Sequence, residues 1–177
     1  MKMNVKAVAV AVATLGLVWS ASGNCQPRGW VQPDIQAEAL AAHNKWRHEH
    51  HAPNLTWDPK LQQYAEKYAK QCIFKHSNPP YGENLASGYP TITAAVNAWY
   101  SEEKLYSYRH STYVPAAGHF TQLIWADTKR LGCAVVACNG ENGTPGKYLV
   151  CEYDPPGNIT NPGFFQKNVI PKEAGWY

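Results

Sequence analysis

Apolar residues recur at helical spacing three times in the first two-thirds of the chain. Ile35, Ala39, Ala42, His43, Trp46 and His50 share one face of a first helix. Leu61, Tyr64, Ala65, Tyr68, Ala69 and Cys72 do so in a second, whose start is marked by Asp58-Pro59, an N-cap followed by proline at the first helical position. A third carries Ile92, Ala95, Val96, Trp99 and Tyr106. Gly118-His119-Phe120-Thr121-Gln122-Leu123-Ile124-Trp125 adds a fourth, shorter helix, with Phe120, Leu123 and Ile124 as its buried stripe and Pro115 to Gly118 as the break before it. After it the period changes to two. Leu131 to Cys138 and Lys147 to Tyr153 read as strands, joined through the turn-rich Asn139 to Gly146. Helices first and a small antiparallel sheet late make the class α+β. The tail after Asn158, with Pro162, Gly163, Pro171 and Gly175, has no periodicity and is expected to lie over the surface.

The ends change the picture. Lys2 and Lys6, an apolar run from Ala7 to Val18 and the small residues Ala21-Ser22-Gly23 have the form of an export signal cut after Gly23. That run is too short to span a bilayer, and nothing later approaches the roughly 18 apolar residues a span requires. The expectation is a soluble, secreted, extracellular protein without stable membrane insertion. Its organisation reads as a signal peptide over 1–23, an N-terminal segment over 24–33, one folded domain over 34–160 and an irregular tail over 161–177. Without Lys2 and Lys6, the 16 Lys and Arg become 14 against 13 acids, and the formal charge falls from +3 to +1. With no cluster of Lys and Arg to neutralise a run of phosphates, nucleic acid is not the implied partner.

Five cysteines in an exported chain imply disulfides and one thiol left over. Cys25, just past the cleavage point, is the natural odd one out, and the residues before it make a poor lipidation signal. Cys133 and Cys138 are five apart and point to opposite faces of a regular strand, which disfavours a bond between them. Two pairings among Cys72, Cys133, Cys138 and Cys151 stay open.

His119 falls at the edge of its helix's apolar stripe. An imidazole in a first helical turn meets the positive end of the helix dipole, which leaves a lone pair for hydrogen bonding or a metal. Alone it would be an ordinary half-buried histidine. Three residues stand as partners: His76, followed by Ser77; Glu83, in the loop phrase Tyr81-Gly82-Glu83-Asn84-Leu85; and Glu102, three past Trp99. Glu103 is the rival of Glu102, since it lies nearer the centre of the apolar stripe, and periodicity does not choose between them.

Taken together, Gly118 to Trp125, the run Tyr148-Leu149-Val150-Cys151-Glu152-Tyr153-Asp154-Pro155-Pro156-Gly157-Asn158-Ile159, His43-Asn44-Lys45-Trp46-Arg47 and Gly82-Glu83-Asn84-Leu85 resemble the CAP superfamily. This is the family of cysteine-rich secretory proteins, antigen 5 and pathogenesis-related proteins. The resemblance runs from about Ile35 to Asn158. It implies a three-layer α-β-α sandwich around a small central antiparallel sheet, with an open cleft. It implies that His76, Glu83, Glu102 and His119 form the family's cleft tetrad, in which the two histidines of several members hold a divalent metal, often zinc, and that Cys72 pairs with Cys138 and Cys133 with Cys151. Glu152 departs from the second signature, where a polar, non-acidic residue is usual, and is expected to be tolerated at an exposed strand position. The extra disulfide of plant members is missing, and no cysteine-rich C-terminal module follows to carry an ion-channel role. His43 reads as structural.

A zinc-bound water beside a glutamate would suit a hydrolase. Yet His-Glu-x-x-His is absent, no Ser-His-Asp arrangement can be argued although Ser77 adjoins His76, and proteolysis is not general in the family. Tyr106, Tyr108 and Tyr113 fit an aromatic-x-aromatic-four-x-aromatic pattern, similar to a loop that fungal sterol-exporting members use. Tyrosine offers a flat apolar face and a hydroxyl, suited to a ring system with one polar end. The expected function is therefore non-catalytic binding of sterol or another lipid in defence or host-microbe interaction, beside a cleft able to hold zinc. Alternatives are a zinc-dependent hydrolase and, from partial similarity at Cys151-Glu152-Tyr153 to the plant cleavage phrase, a precursor of a C-terminal signalling peptide. Asn54, Asn142 and Asn158 head glycosylation sequons.

Overall fold

The structure, a computed structural model, describes residues 34–172. The signal peptide, the 24–33 segment up to its last residue and Cys25 lie outside the described residues. Helix α1 spans Ile35–Glu49 and starts on Asp34, whose carboxylate accepts from the Ala37 amide. It buries Ala39, Ala42, His43 and, unforeseen from the pattern, Arg47. Arg47 is fully buried because α4 (Gly118–Ile124) ends against it: the guanidinium donates to the carbonyls of Leu123, Trp125, Thr128 and Pro53. The Leu123 carbonyl belongs to the last turn of α4 and those of Trp125 and Thr128 to the turn after it, so the guanidinium gathers the helix end and its exit.

Helix α2 (Pro59–Ala69) begins at Asp58 and Pro59 as the sequence indicates, with the Asp58 carboxylate accepting from the Lys60 amide. It lies directly on the sheet. A Cβ on Gly132 would come within 2.2 Å of the Gln62 amide nitrogen, so only glycine lets helix and strand backbones approach this closely.

The sheet holds four strands in the order β1-β3-β4-β2. Strands β3 (Arg130–Ala137) and β4 (Lys147–Asp154) form the expected antiparallel pair. Two strands were not foreseen. β1 (Thr56–Trp57) is a two-residue parallel addition beside β3, too short to show alternation. β2 (Gly82–Ser87) runs antiparallel to β4 through the phrase read as a loop; its Gly, Glu and Asn have weak strand preference, and the ladder with β4 overrides it. Along β4, Tyr148 and Val150 join the cluster under α2, while Leu149, Cys151 and Tyr153 join the larger core beneath α1, α3 and α4. This gives the three layers.

Helix α3 (Ile92–Tyr100) passes into a 3-10 segment over Ser101–Leu105, and Tyr106 is extended rather than helical. Its burial comes from the loop turning inward. The tail differs from the surface segment expected: α5 (Phe164–Asn168) inserts Phe165 and Val169 into the core, where both are almost fully buried. A five-residue helix carries too few positions to show a period. The disulfides are Cys72–Cys138 and Cys133–Cys151, as the resemblance implied, the second joining directly opposed residues of β3 and β4. Among the described residues no helix is long and apolar enough to cross a membrane.

Candidate metal-binding cleft

Two imidazoles are presented by two carboxylates. On one side, the chain after α2 folds back on β2, and His76 Nδ1 lies 2.7 Å from Glu83 Oε1. The same carboxylate accepts from the Ser77 amide at 3.0 Å and the Ser77 hydroxyl at 2.5 Å. Ser77, noted in sequence only for its place beside His76, thus holds the acid. On the other side, His119 Nδ1 lies 2.7 Å from Glu102 Oε1. Glu102 Oε2 accepts from the backbone amides of His119 and Phe120, so this carboxylate also caps the N-terminus of α4. Trp99 stacks on the His119 ring at 6.0 Å.

Glu103 goes elsewhere. It accepts from the hydroxyls of Tyr100 and Tyr108 and pairs with Lys172, away from His119. The structure therefore brings His76 to Glu83 and Glu102 to His119, and it turns the rival acid toward the tail.

A carboxylate can only accept, so each imidazole gives its Nδ1 proton to its glutamate and keeps an Nε2 lone pair. Among the described residues neither Nε2 has a hydrogen-bond partner. A ligand histidine oriented through its other nitrogen by a carboxylate is the usual outer arrangement of a zinc site. The two outer nitrogens are candidate ligand atoms and the glutamates orient the rings, while no group of three ligand side chains that includes these residues gathers within 4.8 Å among the described residues. His76 and His119 line one cleft of about 370 Å³ together with Tyr81, Glu83, Tyr113 and Gln122. The bond to Glu83 raises the His76 pKa. Burial pushes the Glu83 carboxyl up, but the hydrogen bonds from His76 and Ser77 outweigh it and hold the group below its ordinary value.

Three residues that sequence reasoning missed support the cleft. Asn84 donates to the His119 carbonyl and the Tyr153 hydroxyl. Gln122 Oε1 accepts from the Gly157 amide and sits where a Cβ on Gly82 would be, 2.0 Å away. Glu152, expected at an exposed position, is fully buried. It stands directly opposite Glu83 across β2 and β4, and neither of its oxygens has a partner. Burial, and then the Glu83 charge, push its pKa up to about 9, so it is a neutral carboxylic acid at pH 7. The alternation along β4 carried the signal, since Tyr148, Val150 and Glu152 share a face.

The three tyrosines separate. Tyr106 is buried against Phe120 and Phe165 with its hydroxyl unpartnered, Tyr108 donates to Glu103, and only Tyr113 is exposed and lines the cleft. A different apolar cleft of about 360 Å³ opens between α1, α3 and the sheet, lined by Ile35, Ala86, Ile92, Ala95, Val135 and Leu149 among others.

His43, Cys133 and Cys151 also place a nitrogen and two sulfurs within 4.8 Å of one another. Both sulfurs are spent in a disulfide, and both nitrogens of His43 are engaged, by the Ala39 carbonyl and the Tyr153 hydroxyl. That cluster is structural.

The fold and the cleft define a class, and comparison with known proteins identifies it. The model of the cysteine-rich secretory protein family, CAP, matches residues 40–153. The chain belongs to this family. It is 42% identical over 134 residues to pathogenesis-related protein 1 of Arabidopsis thaliana, covering 72% of this chain and 81% of that protein. It is 40% identical over 165 residues to the secreted protein RBT4 of Candida albicans, covering 85% of this chain but spanning only 45% of that relative's length. Among solved structures, the crystal structure of NaASP2 with Zn2+ superposes with a TM-score of 0.63 at 25% identity, covering 83% of this chain and 90% of that one.

Proposed function

We propose that this chain is a secreted, non-catalytic CAP protein whose cleft takes up a divalent metal, zinc foremost, through Nε2 of His76 and Nε2 of His119. The observation that carries this reading is the pair of carboxylate-oriented imidazoles, each with its outer nitrogen free. NaASP2, described with Zn2+, lends it support. Bound there, zinc would supply a Lewis-acidic centre with positions open to a further ligand. Equilibrium dialysis of the purified protein against zinc tests it. One zinc per chain is expected, with affinity reduced about 10–100-fold by Glu83→Gln and further by His76→Ala or His119→Ala. Unchanged uptake in the double histidine variant sinks the metal reading, and chelator-sensitive hydrolysis lost in His119→Ala replaces the non-catalytic reading with the zinc-dependent hydrolase.

The biological role in this reading is capture of a sterol or other lipid in defence or host-microbe contact. The supporting observation is the apolar cleft between α1, α3 and the sheet, of a size typical of small-molecule sites, rather than the tyrosine loop, whose Tyr106 and Tyr108 pack inward. Saturable binding of labelled cholesterol or fatty acid, lost when Val135→Trp fills the cleft, is the expected result. Binding indifferent to Val135→Trp but abolished by Tyr113→Ala moves the ligand to the tetrad cleft, and no saturable binding ends the lipid reading.

A further inference from the structure

The segment after α2 holds two adjacent apolar side chains in solvent on a fixed frame. Ile73 is 43% exposed and Phe74 54%, and they are the only two large exposed apolar residues adjacent in sequence among the described residues. Their backbone is clamped. Cys72 is bonded to Cys138, and its carbonyl accepts from the Thr144 hydroxyl. The Tyr148 hydroxyl donates to the Ile73 carbonyl at 3.0 Å, and the Tyr68 hydroxyl donates to that of Lys75. The Phe74 ring rests edge-on against Tyr148, 5.8 Å between centroids. A loop held at Cys72, Ile73 and Lys75 presents its tip in one orientation, and leaving Ile and Phe in water forgoes the free energy that burial would give.

The surroundings carry positive charge. Lys67 and Lys70 end α2, Lys75 follows the tip, and all three are exposed. Lys70 pairs with Glu66 at 2.6 Å, while Lys67 and Lys75 have no acidic partner among the described residues. Glu141, in the hairpin that touches this loop through Asn142 and the Gln71 carbonyl, is the other exposed acid nearby, while Glu83 lies behind the loop, almost buried and bonded to His76 and Ser77. The exposed charge around the tip stays positive.

We propose that Ile73 and Phe74 are an interfacial anchor that inserts into an anionic lipid surface while Lys67, Lys70 and Lys75 meet its headgroups. A stable protein interface asks about 800 Å² of each partner, far more than this narrow tip supplies. A bilayer interface asks only depth for the apolar pair and negative headgroups for the lysines. His76 follows Lys75 directly, so anchoring brings the His76 side of the cleft to the membrane. The proposal stands independently of metal uptake and of lipid capture.

The test is co-sedimentation of the protein, purified in the form a secreting host releases, with sterol-free vesicles of phosphatidylcholine alone or phosphatidylcholine mixed with phosphatidylserine. Wild type is expected to bind the mixed vesicles, more weakly as salt rises, and to bind neutral vesicles poorly. Paired replacement I73S/F74S should weaken binding by at least about tenfold. K67S/K75S, which leaves the apolar pair in place, should remove the preference for the anionic vesicles. Equal sedimentation of wild type and I73S/F74S overturns the proposal. So does failure of the wild type to bind mixed vesicles, whether or not the same tip captures a protein.

Discussion

Burial without a partner makes Glu152 keep its proton in the folded chain. Its pKa rises from 4.5 to about 9, so between those values the unfolded chain has lost a proton that the native one retains. Each pH unit across that window therefore favours unfolding by up to about 1.4 kcal/mol. His43 acts from the other side of the sheet and with the opposite sign. Burial, ahead of its other causes, lowers its pKa from 6.5 to about 4, so as pH falls through that window the unfolded chain binds a proton the native one refuses. His50, also lowered by burial, adds to the same loss. Above pH 6.5 the lowered histidines no longer oppose Glu152, so stability should fall as pH rises from there toward about 9. Glu152→Gln keeps the shape of the neutral acid and removes its titration, so chemical denaturation of this variant should lose the decline between pH 7 and about 9. Parallel alkaline limbs for variant and wild type would show that Glu152 does not titrate as described.

Helices were legible because each long one buries a stripe at a period of 3.6, and Asp58-Pro59 marks an end by chemistry the structure uses. β2 was not legible as a strand because its residues favour turns and only pairing with β4 holds them extended. α5 was not legible because what fixes it is tertiary: Phe165 meets Trp125 at 5.0 Å, Tyr106 at 6.5 Å and Tyr113 at 6.1 Å, and the Asn168 side chain accepts from the Asp127 amide. This makes the tail a lid on the aromatic loop rather than an appendage. Phe165→Ala should cost about 3 kcal/mol in denaturant titration, as removal of a buried aromatic ring does. A loss below about 1 kcal/mol would mean that α5 contributes little to the fold.

At the scale of the molecule, the layers and the disulfides were readable through family resemblance, which also named His76, Glu83, Glu102 and His119 as a tetrad. What no sequence pattern held was the division of labour inside it. That Glu102 caps α4 while it orients His119, and that Ser77 fixes Glu83, follows from elements that meet only after folding. The same geometry makes the cleft a seam. One imidazole hangs from the segment between α2 and β2, the other from α4, so each lip belongs to a different part of the chain. Cys72–Cys138 ties the segment that carries His76 to the end of β3 and Cys133–Cys151 joins β3 to β4, so neither bond bridges the two lips. An ion held by both outer nitrogens would be a third tie, closed and released by the metal content of the surroundings, and the gape of the cleft would then follow the chemistry of the fluid around it.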